Sequence, residues 1–150
     1  METLFNSNLL SRLENISRAS LKCKLDMPKL TAADDDISAI SSFLGITLIQ
    51  SVLFAVIADL SLQRTVTLDN LSKHFSCSVL RLVTFMKEME HLEKRGLIKR
   101  SLRRKGHRPS YNDIGYSVPA FVIDALLKED PSKLETASRF DLSSFLKQIS

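Results

Sequence analysis

Residues 91–118 leave few choices of local structure. His91, Leu92, Glu93, Lys94 and Arg95 end an apolar-periodic run, and Gly96 follows. Lys94 and Arg95 suit the last turn of a helix, where cations meet the negative end of the dipole. Gly96 suits the left-handed residue just past that end. Residues 98–104 are short and partly alternating, and Lys105, Gly106 and Pro109 punctuate them. Residues 111–118 read as a return strand. The prediction is a helix that feeds a β-hairpin with a basic tip.

Charge is concentrated in the same place. Residues 94–108 hold Lys94, Arg95, Lys99, Arg100, Arg103, Arg104, Lys105 and Arg108, and no Asp or Glu. Without these eight, the 21 basic side chains fall to 13, against 17 acidic. The net charge of +4 therefore originates here. A charge run by itself is a solvated face, and it bears on partners rather than on fold. Its place on a hairpin directly after a helix favours a contact surface.

At 150 residues, with 44% hydrophobic and 25% charged side chains, the chain is expected to be one globular domain with extensions. The expected division is a helical extension over 1–45, a domain over 46–130 and a linker with the start of a further helix over 131–150. Cys23 and Cys77 are too few for a disulfide framework or a metal site, and they read as reduced thiols in a cytoplasmic protein. Charges interrupt the N-terminal apolar pattern, which excludes a signal peptide. The longest apolar run, 46–60, is broken by Gln50 and Asp59 and is too short to span a bilayer, so no membrane partner is expected.

Further local signals place the helices. Leu9, Leu10, Leu13 and Ile16 fall at helical spacing within 4–21. Residues 26–29, with Pro28, read as a linker. Thr31 is a possible cap, with Asp34, Asp35 and Asp36 in the first turn of a short helix ending at Gly45. The competing reading of those carboxylates as a metal site lacks calcium-loop spacing. Thr47 and Gln50 fit a capping box. The helix behind them is apolar nearly all round and is expected to be buried on more than one side. Residues 63–67 are β-branched and predict a small strand. Thr67 can cap a helix over 68–75. Residues 76–78 form a turn, and one long helix is predicted from 78 to 95. Its inner stripe is Val79, Leu82, Met86, Met89 and Leu92. Its outer face carries Arg81, Thr84, Glu88, His91 and Arg95. Pro119 opens another helix with Phe121, Val122, Ala125 and Leu126 inward. After a loop over 131–140, Asp141 is placed to cap a last helix that reaches Ser150. A helix ending so abruptly suggests a fragment, or an element that docks on something further along.

Taken together the pattern predicts a mainly α fold with a small β-hairpin. The order from Thr47, together with Thr67-Leu68-Asp69-Asn70-Leu71-Ser72 and Leu92-Glu93-Lys94-Arg95-Gly96-Leu97-Ile98, resembles the winged helix-turn-helix family. The resemblance covers roughly 47–128. The segments around Leu44-Gly45-Ile46-Thr47, residues 63–68, Met86-Lys87-Glu88, Arg103-Arg104-Lys105-Gly106 and Ser110-Tyr111-Asn112-Asp113 also look like the N-terminal region of a group of bacterial AAA-type ATPases. There a winged-helix region precedes the ATPase core. This chain has no Gly-x-x-x-x-Gly-Lys-Ser/Thr run, so the resemblance implies ATP hydrolysis only downstream of Ser150 in a longer protein.

The resemblance implies duplex DNA as partner. Ser76, Ser78, Arg81 and Thr84 would face the major groove, with Arg81 the best reader of guanine. Lys99, Arg100, Arg103, Arg104, Lys105, His107 and Arg108 would lie along the backbone or the minor groove. Glu88, on the same helix face, would repel phosphate. The alternative is a docking module for a protein partner or a downstream ATPase domain, because folds are reused. An enzyme is not expected. His74, His91 and His107 lack metal-ligand spacing, no serine sits in a nucleophile elbow, and no cofactor is implied.

Overall fold

The computed structural model of the chain describes residues 8–102, 113–132 and 134. Among these it is mainly α, with seven α-helices and a small antiparallel sheet. In chain order they are α1 (Leu9–Ala19), α2 (Asp34–Leu44), α3 (Leu48–Ser61), α4 (Leu68–Phe75), α5 (Val79–Val83), α6 (Met86–Lys94) and α7 (Ala120–Lys128). The hairpin strands are β1 (Lys99–Leu102) and β2 (Ile114–Ser117).

Helix α3 is the axis of the fold. Its capping box forms as the sequence predicts. The Thr47 hydroxyl accepts from the Gln50 amide at 3.2 Å, and the Gln50 side-chain oxygen accepts from the Thr47 amide at 3.0 Å. Residues 50–58 are all buried. A helix apolar on every side must be enclosed by neighbours, and α1, α2, α6 and β2 enclose it. One continuous core runs from Leu9 through Phe54, Phe75 and Tyr116 to Leu126. The helices of the N-terminal stretch 1–45 contribute Leu13, Ile16, Ile37 and Ile40 to that core.

Gly45 ends α2 in the left-handed conformation (φ 68°), and its amide donates to the Ser41 carbonyl at 2.8 Å. The neighbouring carbonyls are taken up from across the fold. The Arg95 guanidinium donates to the carbonyls of Leu44 and Gly45, both at 2.8 Å. Arg95, placed by periodicity on the outer face of its helix, is therefore a tie between that helix end and α2.

The hairpin strands pair after Gly96 (φ 75°) as predicted; among the described residues the first begins at Lys99 rather than Ile98, and the second ends at Ser117 rather than Val118. Lys99 pairs with Ser117, Arg100 with Tyr116, Ser101 with Gly115 and Leu102 with Ile114. Of the strand predicted over 63–67, only Val66 pairs. It exchanges both backbone hydrogen bonds with Tyr116 (2.9 and 2.7 Å) and so adds a third, one-residue strand to the sheet.

Three expectations are corrected. Residues 26–29 are not a linker, because a 3₁₀ segment (Met27–Ala33) begins there, with Pro at its first turn. Thr31 lies inside that segment and does not cap α2, which starts after Ala33 with no side-chain cap. The single helix predicted over 78–95 is two. The Thr84 and Phe85 amides donate three residues back, to Arg81 and Leu82, and the Thr84 hydroxyl also donates to the Arg81 carbonyl. These tightened bonds interrupt the four-back ladder of an α-helix. The apolar stripe stays continuous across the break, with Leu82, Met89 and Leu92 all buried. The last helix expected after Asp141 falls outside the described residues.

Candidate nucleic-acid interface

The α4–turn–α5 unit is built by local capping. The Thr67 hydroxyl accepts from the Asn70 amide at 3.2 Å, and Asn70 Oδ1 accepts from the Thr67 amide at 3.0 Å. Leu68, Leu71 and Phe75 turn inward. Ser76 stops the helix in the left-handed region (φ 54°), and its amide donates to the Ser72 carbonyl. The Cys77 amide donates to the same carbonyl at 3.1 Å, and the Ser72 hydroxyl returns a bond to the Cys77 carbonyl. Ser78 then caps α5, accepting from the Arg81 amide at 3.0 Å.

This arrangement leaves Ser76, Ser78, Arg81 and Thr84 exposed. Two of the hydroxyls are already engaged, Ser78 as a cap and Thr84 on the Arg81 carbonyl. The Arg81 guanidinium lies 5.5 Å from the centroid of the Phe85 ring, a cation–π contact that steadies its planar fork. Burial pushes the Cys77 thiol above its ordinary value, while the Arg81 charge pulls it down and Cys23 adds to the rise. Leu80, beside Arg81, is 76% exposed.

On the hairpin, Lys99 and Arg100 are exposed. Arg100 Nε sits 3.5 Å from Glu93 Oε1, which offsets part of its charge. Arg103, Arg104, Lys105, His107 and Arg108 lie outside the described residues. Glu88 does not stand free on the α6 face, because its carboxylate accepts from the Gln50 side-chain amide at 2.9 Å.

His74, in the last turn of α4, carries a network that periodicity did not reveal. Its Nε2 lies 2.9 Å from the Ser17 carbonyl and 3.1 Å from the Ser20 hydroxyl. The Ser17 hydroxyl donates to Asp59 at 2.8 Å. Ser20 is fully buried, so this Ser–His pair ties α1 to α4 and is closed to a substrate. Burial lowers the His74 pKa below its ordinary 6.5, against the opposing pull of the Ser17 carbonyl and of Asp59. The unfolded chain thus takes up a proton near pH 6.5 that the folded chain resists. Stability is fully present above 6.5 and is lost as pH falls through the interval below it. Thermal melts should show the native chain losing more stability than His74→Gln between about pH 6.5 and 5, since Gln can donate to the same carbonyl without titrating. Equal losses in both would assign the pH dependence to other groups.

Among the described residues no three His, Cys, Asp or Glu side chains gather to hold a metal ion, and no single helix is long and apolar enough to cross a membrane. No protein-family model matches the chain, and no curated protein or solved structure matches it.

Proposed function

We propose that the chain is a winged-helix module that binds duplex DNA. In this reading α4 and α5 form the helix-turn-helix, and the hairpin is the wing. The observation that carries it is the α4–α5 turn, which leaves Arg81 exposed with its fork steadied on Phe85, in a domain whose hairpin strands are joined by the most basic stretch of the sequence. Arg81 reads base edges, and the hairpin cations hold the phosphate backbone. The similarity of the sequence segments around Gly45, Gly96 and Arg103 to AAA-type ATPases extends the reading. It makes the module the regulatory or substrate-recognition part of a longer ATPase that acts in the bacterial cytoplasm.

The test is fluorescence anisotropy with a short mixed-sequence duplex across a salt series. Binding should weaken with a log–log slope of about −3 to −4, as expected for roughly four phosphate contacts. Arg81→Ala should cost about 1–3 kcal/mol on a preferred sequence and less on others. A folded sample that fails to bind at low salt removes the proposal.

One set of observations favours a second reading as a protein-docking module. Leu80 is 76% exposed and Leu62 is 75% exposed. Leu62 also lines a shallow, mostly apolar groove with Leu10, Leu13, Glu14, Ala58, Asp59 and Ile123. Under this reading the duplex would not bind, and a protein partner would cover these leucines.

A further inference from the structure

The segment that leaves α1 takes an unusual path. Lys22 (φ 62°), Lys24 (φ 58°) and Leu25 (φ 60°) are all left-handed, and none is glycine, asparagine or aspartate. L-residues resist that conformation, so three in four positions persist only where surrounding contacts demand them. The contacts are visible. The Lys22 amide donates to the His74 carbonyl and the Lys24 amide to the Phe75 carbonyl, both at 2.8 Å. Cys23 and Leu25 are buried in the core, whereas Lys22 and Lys24 are exposed.

Two consequences follow for the end of α4. The last carbonyls of a helix carry partial negative charge and would face a polyanion unfavourably. Here two of them are satisfied by backbone amides, and the residues supplying those amides bring two ammonium groups with them. His74 and Phe75 immediately precede Ser76, so the lysines stand beside the turn. The hairpin lies at the other end of the same helix, where Val66 pairs with Tyr116 just before α4 begins. Eight helical residues separate the two ends by about 12 Å, comparable with the width of a major groove.

We propose that Lys22 and Lys24 form a second phosphate clamp, held at the C-terminal end of α4 by their own backbone bonds, so that the helix-turn-helix grips the DNA backbone from both ends of α4. The clamp rests on the DNA-binding reading, and it assigns a role to a segment that the wing and the groove residues leave unused. Its chemistry is that of point-charge phosphate contact without base readout.

The test uses the full chain, the same duplex and salt series, and the double variant Lys22→Asn/Lys24→Asn. Asparagine tolerates the left-handed region and removes both charges. The double variant should bind about 50-fold more weakly at about 0.1 M salt, with a slope shallower by about 1.8. Lysine acylation footprinting of the unaltered chain gives a second readout that does not depend on the variant folding. The duplex should protect Lys22 and Lys24, while Lys128 on α7 stays reactive. If the native chain binds with a steep slope but the variant matches it and neither lysine is protected, the clamp is overturned and the DNA-binding reading stands. If the native chain does not bind the duplex, both fall together.

Discussion

Replacing Phe54 with alanine is expected to lower the unfolding free energy by about 3–5 kcal/mol. Phe54 lies in the middle of α3 and has no solvent exposure. Its neighbours along the helix from 50 to 58 are buried too, so the side chain sits where several layers meet. Close packing gives the surrounding residues little room to collapse into the gap, and the cavity adds to the lost transfer energy. For a chain of this length the melting temperature should fall by about 10–15 °C. Chemical denaturation followed by circular dichroism checks this. A loss below about 1 kcal/mol would show that α3 is not the axis of the core.

The second large effect concerns binding rather than folding. Arg103→Ala, Arg104→Ala and Lys105→Ala, made together, should weaken duplex binding by about 500-fold at about 0.1 M salt. Each phosphate contact releases condensed counterions and contributes about 0.9 to the salt slope, so removing three should flatten it by about 2.7. Little should change in stability, because a run of like charges contributes little to folding. Anisotropy measured in parallel with a thermal melt separates the two quantities. Unchanged affinity with an unchanged melt would take the wing out of the interface.

Much of the fold was legible because it is written in local chemistry. Thr47 with Gln50, and Thr67 with its helix, announce their caps through residue type and spacing. Gly45 and Gly96 stop helices because their positive φ costs glycine nothing. The nearly all-apolar character of the helix behind Thr47 correctly implied burial on more than one side, and residues 50–58 are buried. What escaped had no such signature. The break at Thr84 and Phe85 interrupts no apolar stripe and uses no Gly or Pro; a threonine hydroxyl and two three-back bonds make it. The left-handed positions 22, 24 and 25 hold lysine and leucine, which ordinarily avoid that region. Long-range contacts imposed it, and these are invisible in the linear pattern.

The candidate site was less legible than the fold. Residue type and position brought Ser76, Ser78, Arg81 and Thr84 to one exposed turn. Charge alone could not show that Arg95 is spent on the end of α2, that Glu88 is engaged by Gln50, or that Arg100 shares its charge with Glu93. Conversely, Lys22 and Lys24 lie about 50 residues upstream of the turn and reach it only through tertiary hydrogen bonds. A helical periodicity argument sees one element at a time, whereas a binding surface is assembled from several.

The proposed interface brings duplex DNA to the α4–α5 turn and the hairpin. Backbone amide chemical-shift mapping of the isotopically labelled chain, titrated with the duplex at low salt, tests it most directly. Shifts that saturate together and cluster at residues 76–84 and at β1, with a second group at 22–24, are expected. Shifts confined to the groove of Leu10, Leu62 and Ile123, or a spectrum that the duplex leaves unchanged, would contradict it.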